Sequence, residues 1–444
     1  MIIPIAIHLF RGPRNTSPYG YVAADQVGTI PGGTAAVAAT STWTGLGTTN
    51  NFSDAANWST LPVGGSNLVF AGLTRLTPNN DFIAGTAFGQ ITFAAAAGAF
   101  TVGGNSVAAV STITNNSSNA QGINLAFSLT NNITINTNTQ DILIGGVISG
   151  SGSLTKIGAS AVRLSTTNTY SGGTQLSAGE IAVSTDNVLG TGVLTTANNT
   201  TLSSNGGGNN IFNGNIVLIG TLNLPAVFSG GGDYNFNGVI SGSGLINIPA
   251  DGNGRRIEFH NTNTFTGGIT LGVAGQNQRA NIVAYQANSF GTGPISWNQN
   301  VGEMRFMGSA GYTVQNNITV PSGAVCTINT PAAVTISGTI SGAGSVALNN
   351  LGAVTVTGNV TFGSSASHLN LATNGTTAVQ TLTTSSTTTL NSITVDFTGA
   401  LNAGTYTVIA GSSIVGSATQ GTPPTGRTWT SLMVVSNNLV AVFA

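Results

Sequence analysis

The hexapeptide Val147-Ile-Ser-Gly-Ser-Gly152 returns as Val239-Ile-Ser-Gly-Ser-Gly244 and, with two changes, as Thr339-Ile-Ser-Gly-Ala-Gly344. The first two copies stay in step beyond the motif. Asn168-Thr-Tyr-Ser-Gly-Gly-Thr174 matches Asn263-Thr-Phe-Thr-Gly-Gly-Ile269, and Asp186-Asn-Val-Leu-Gly-Thr-Gly192 matches Ala287-Asn-Ser-Phe-Gly-Thr-Gly293. Upstream, Asn132-Ile-Thr-Ile135, Asn215-Ile-Val-Leu218 and Asn317-Ile-Thr-Val320 also recur. Each unit is a short apolar strand followed by a glycine-rich turn. Such a unit cannot bury its apolar face alone, so it must stack on its neighbours.

From Ser41 onward the chain reads as strands of four to seven residues, for example Ile133-Thr-Ile135, Ile181-Ala-Val183 and Val354-Thr-Val356. Gly, Asn and Ser clusters bound them, as turn chemistry requires. No sustained 3.6-residue apolar period appears. Charged residues make up 5% of the chain, against roughly 25% in ordinary domains. With Lys+Arg at 10 and a net charge of -1, no clustered cationic footprint for nucleic acid exists. The single cysteine, Cys326, excludes an internal disulfide framework and reads as a small buried residue. No segment reaches the ~18 apolar residues of a membrane-spanning helix.

The run Gly150-Ser-Gly-Ser-Leu-Thr-Lys-Ile-Gly158, then Asn168 to Thr174, then Ala178-Gly-Glu-Ile-Ala-Val183 resembles the autotransporter-associated β-strand repeat of bacterial passenger regions. The resemblance implies an all-β chain forming a right-handed parallel β-helix. Trp43-Thr-Gly45, Asn57-Trp58, Pro62 and Leu68-Val-Phe70 are similar to the module that opens such repeats. The end, Ala403 to Ile409 and Leu439 to Phe443, resembles their closing β-segment. The expected organisation is an N-terminal arm over 1–40, an opening β-module over 41–130, and a repeat β-helix over 131–400. The repeat copies fall near 131–212, 213–315 and 316–400, and a closing segment covers 401–444. At ~20 residues per coil, about 20 coils make a rod of roughly 95 Å.

The resemblance also carries an export signal and a C-terminal membrane barrel, and neither is read here. The expectation drawn is a structural, non-enzymatic virion protein: a fibre, spike or decoration protein on the particle surface. The alternatives are a bacterial surface adhesin, extracellular or cell-bound, and a polysaccharide-degrading spike. The apolar start of the arm, Ile2, Ile3, Ile5, Ile7, Leu9 and Phe10, is the expected anchor to other virion proteins. A homotrimer is expected because long β surfaces need protection.

No nucleophile elbow and no phosphate loop occur. Gly230-Gly-Gly-Asp233 is a lone partial calcium nonapeptide, and such sites come in stacked runs. Catalytic residues, metal and cofactors are therefore expected to be none. The least uniform stretch is 228–306, which holds eight of the 21 charged residues. Its charged candidates are Asp233, Asp251, Arg255, Arg256, Glu258, Glu303 and Arg305, with His260 beside them. Tyr234 and Trp297 are the candidate aromatic platforms. Together they suggest a groove for cell-surface glycans, where rings stack on sugars while carboxylates and Arg meet hydroxyls. A hydrolytic version pairs Glu258 with Asp251 or Glu303. The plain alternative is salt-bridged loops.

Overall fold

Strands of three to five residues with an apolar residue at each end can bury every second side chain. Ile-Thr-Leu at 269–271 and Val-Thr-Val at 354–356 follow this rule, inward at the ends and outward in the middle. The computed structural model describes residues 38–108, 110–205, 209–225, 233–249, 255–272, 279–299, 302–307 and 311–444. In the unit Ala39–Ala444, such strands stack in parallel into a β-solenoid of about 15 turns with three faces.

The first face begins with Thr40–Trp43, Asn67–Phe70 and Gln90–Phe93 and runs in register to Ile240–Gly242. Two bends continue it at 263–266 and 288–292 before Tyr312–Val314, Val334–Ile336 and Val354–Val356. The second face runs through Ile142–Ile144, Ala161–Leu164 and Glu180–Val183 to Ile340–Gly342 and Val360–Phe362. The third face holds Phe127–Leu129 and Ile148–Gly150, then bends near 168–171 and 187–191. It resumes as strands from Asn210–Phe212 to Ala418–Gln420. Residues 41–130 are themselves coiled in register with the rest.

The three sequence copies do not sit above one another. Ile148–Gly150 lies on the third face, Ile240–Gly242 on the first and Ile340–Gly342 on the second. From each copy to the next the chain completes four coils and one further face. The faces are interchangeable because the Ile-Ser-Gly strand is used in the same way on each, with its isoleucine buried. The glycine closing each copy is required on every face. Gly150, Gly242 and Gly342 have φ of +101°, +100° and +119°. A Cβ there would meet the carbonyl oxygen of Leu129, Leu218 or Val320 in the coil below at 2.2, 2.2 and 2.1 Å.

The coil count is lower than the ~20 expected at an even coil length, giving a stack of about 70 Å. Second-face strands start closely at Ile142, Ala161, Glu180 and Thr200 but widely at Ile246, Ile269, Ile295 and Ile318. The middle coils are enlarged. The chain also leaves the parallel stack at its end, where Trp429–Val435 and Asn438–Phe443 form antiparallel strands on Gly404–Val415.

At the start of the unit, Trp43, Phe52, Trp58 and Phe70 pack ring on ring, with Trp43 and Trp58 edge to face at 5.0 Å. Asn57 stitches that turn from within. It accepts from the Gly47 amide at 2.8 Å and donates to the carbonyls of Thr49 and Asn51. At the other end Phe397, Trp429 and Phe443 cluster in the same way. The residues expected to anchor the chain, Ile2, Ile3, Ile5, Ile7, Leu9 and Phe10, lie outside the described residues, as does Asp251.

Candidate functional site

The charged stretch falls mainly on the third face. There Tyr234–Phe236, Arg255–Phe259, Ala280–Ala284, Glu303–Phe306 and Val325–Asn329 stack in order. Register brings two outward columns together. Arg256, Asn281, Glu303 and Thr327 form one, and Asn235, Glu258, Val283, Arg305 and Asn329 form the other. Chain order alone did not reveal these columns.

Most of this charge is spoken for within the protein. Asp233 accepts the Arg256 backbone amide at 2.8 Å and its guanidinium at 2.9 Å. Asp141 does the same one repeat copy earlier, accepting the Ala161 amide at 2.9 Å and Arg163 at 2.7 Å. An acidic residue thus ties its coil to the next through both backbone and side chain. Glu258 is almost wholly buried, and each carboxylate oxygen has partners. Oε1 meets Arg256 at 3.3 Å, while Oε2 meets His260 at 3.2 Å and the Tyr285 hydroxyl at 3.3 Å. His260 and Tyr285 stack face to face at 4.0 Å. Burial first, and then the Glu258 carboxylate, push the Tyr285 phenol up. Glu303 pairs with Arg305 and accepts from Asn329 at 2.9 Å.

Two expected aromatic platforms are not on this surface. Tyr234 faces the interior, where its hydroxyl donates to the carbonyls of Leu202 and Pro225 and accepts from the Ser204 amide. Trp297 is fully buried, and its indole N–H reaches the Val325 carbonyl at 2.8 Å. Both residues sit at inward positions of their strands, so neither ring can lie on a sugar. Arg255 is also inward and buried. Tyr285 was not singled out by the sequence, since nothing local marks its contact with a residue 27 positions away.

A second set of polar residues, several of them within the repeat motifs, lies inside the solenoid. Lys156, the chain's one lysine, occupies an inward position between Ile135 and Leu176. Its Nζ donates to the carbonyls of Ile157 at 2.9 Å, Gly158 at 2.9 Å and Ala178 at 3.1 Å. Burial pushes its ammonium down to about 8. Asn168 accepts from the Ile148 amide at 2.7 Å and donates to the Val188 carbonyl at 2.6 Å. The Tyr170 hydroxyl meets Thr174, and Thr174 reaches the Leu189 carbonyl. Gln121, Gln299 and Gln380 use both ends of the amide in the same way. Cys326 is buried, which pushes its thiol up to about 12 and leaves it inert.

Among the described residues no group of three or more His, Cys, Asp or Glu could hold a metal ion. No helix among the described residues is long and apolar enough to cross a membrane.

With this geometry in hand, the comparisons fall on the interior devices. The passenger-associated-transport-repeat family matches residues 154–183. That stretch holds Lys156, Asn168, Tyr170 and Thr174. No curated protein matches the chain, and no solved structure does either. What the fold and the match establish is a β-solenoid repeat protein, one stretch of which is similar to the passenger-associated-transport-repeat family.

Proposed function

We propose that this chain is the non-enzymatic rod of a protein displayed outside the cell, where it holds distance and presents its faces. The observation that carries this reading is the use made of charge. Asp141, Asp233, Glu258 and Glu303 each bind a basic side chain of their own or an adjacent coil. A glycosidase needs one carboxyl free to protonate and another free to attack or activate water. Glu258 has all its oxygens engaged, and Glu303 is two strands further along. The passenger-type match supports display at a bacterial surface as an adhesin or stalk. A fibre, spike or decoration role on a virion requires the same rod and is the second setting.

Labelling the native source with an antibody to the solenoid, followed by electron microscopy, distinguishes cell surface from particle. Signal confined to the cytoplasm would overturn both. Incubation with capsule or lipopolysaccharide tests the chemistry. The sugar chains should keep their length. Shortening that disappears in Glu258→Gln would replace this reading with a hydrolytic one.

A further inference from the structure

The two ends of the solenoid are finished differently. At the first strand, the outer side of Thr40–Trp43 is closed by the chain itself. The Ser59 amide donates to the Thr42 carbonyl at 2.8 Å, the Thr42 amide to the Ser59 hydroxyl at 3.0 Å, and the Thr44 amide to the Asn57 carbonyl at 2.7 Å. At the other end, Asn438–Phe443 pairs with Gly404–Val415 on one side and Trp429–Val435 on the other. Among the described residues Trp429–Val435 makes a ladder with Asn438–Phe443 alone, and on its other side the Trp429 indole N–H donates to the Gly421 carbonyl at 2.9 Å.

That edge strand has a register shift between Trp429 and Ser431 but, beyond it, lacks the usual protections. It contains no charge, no proline and no glycine. A strand with one face to water alternates apolar and polar residues. Here Leu432-Met-Val-Val435 is continuously apolar, the pattern of a strand covered on both faces. Yet Met433, Val434 and Val435 are 49%, 39% and 46% exposed. Met433 stands opposite Val440 and Val435 opposite Asn438, while Leu432 and the still exposed Val434 stand opposite the buried Ala441 and Leu439.

From this geometry we infer that Trp429–Val435 is an interface strand that pairs antiparallel with the same strand of a second copy of this chain. Three observations select that occupant. From Leu401 to Ala444 the only charged residue is Arg427, so two copies meet without like-charge repulsion, and a charged peptide finds no counter-charge. The opposite end is closed, which disfavours head-to-tail stacking into an open fibre. The strand also already belongs to an antiparallel sheet, and antiparallel edges are self-complementary about a two-fold axis. The assembly is therefore a tail-to-tail dimer with a continuous sheet across the axis, and not the trimer expected from the sequence.

Light scattering on the full chain at tens of micromolar should give twice 44.3 kDa. Met433→Lys with Val435→Lys should return it to one chain's mass, with the circular dichroism unchanged. Val147→Lys, at an exposed position on the solenoid wall, should leave the dimer intact. If the lysine pair does not fold, cysteine scanning decides. Cys326 is buried and silent, so single cysteines placed from 430 to 434 report alone. A cysteine near the two-fold axis should crosslink with itself on oxidation, while Val147→Cys should not. A monomeric wild type, a trimeric mass, a folded lysine pair that stays dimeric, or no self-crosslink along 430–434 would each overturn the inference.

Discussion

Asn168 and Asn263 make the same clasp on different faces of the solenoid. Asn168 accepts from Ile148 at 2.7 Å and donates to Val188 at 2.6 Å, so one side chain joins three successive coils. Asn263 accepts from Ile240 at 2.7 Å and donates to Ser289 at 2.6 Å. Both are buried. An amide suits this place because it offers an acceptor and a donor without carrying a charge into the interior.

Replacing Asn168 with Leu leaves a buried N–H and a buried C=O without partners, each costing about 1–3 kcal/mol. Urea unfolding should show a loss on the order of 2–4 kcal/mol, and hydrogen exchange should accelerate at the Ile148 amide. Asn263→Leu should behave alike and accelerate exchange at Ile240. Loss of only a few tenths of a kcal/mol in both variants would show that the clasp is dispensable.

The Tyr170–Thr174 pair and its counterpart give a sharper test. In the second copy both hydroxyls are gone at once, as Phe265 and Ile269. Thr174→Ile alone strands the buried Tyr170 hydroxyl and should cost about 1–3 kcal/mol. Adding Tyr170→Phe should recover part of that loss. A double-mutant cycle with no coupling between the two would contradict the hydrogen-bonded pair.

Lys156 links stability to pH. Its folded value is about 8 and its ordinary value 10.5. Between these the unfolded chain binds more protons than the folded one, so stability rises as pH climbs through that window. Cys326 acts oppositely. Burial holds its thiol protonated in the fold to about 12, while the unfolded chain releases that proton from about 9. The difference between wild type and Lys156→Met isolates the lysine. From pH 8 to 10.5 wild type should gain on the order of 2 kcal/mol relative to the variant. A flat difference in midpoint would remove the claim that the ammonium is desolvated.

Arg256 and Arg163 look equivalent in sequence but should not be equally important. Arg163 neutralises Asp141, which is partly exposed. Arg256 serves Asp233 and also Glu258, whose side chain is 8% exposed. Arg256→Gln leaves a buried carboxylate short of its cation, so it should lower the melting temperature more than Arg163→Gln. Equal shifts would argue that Glu258 is sufficiently held by His260 and Tyr285.

The sequence was informative where a rule is local. Positive-φ glycines, three-residue strands and asparagine-rich turns announce themselves, and a repeat of them leaves stacking as the solution. It was less informative at 228–306. There, Tyr234 and Trp297 read as platforms because aromatic residues near charges suggest a ligand. Whether a ring faces in or out depends on strand parity, and one residue more or less in an enlarged coil reverses it. The role of Tyr285 was not legible for a related reason, since its partner Glu258 belongs to a different coil.

Sequence by itself thus determined the class of fold: parallel coils, a core of repeated apolar positions, and almost no charge. Tertiary structure decided the phase. Each copy ends one face further round than the last, so the same motif builds the third face, then the first, then the second. That rotation comes from how many residues each coil holds, a sum over every turn and bulge that no single motif records. The same sum brings Asn168 over Ile148 and Arg256 over Asp233, and leaves Trp429–Val435 as the open edge.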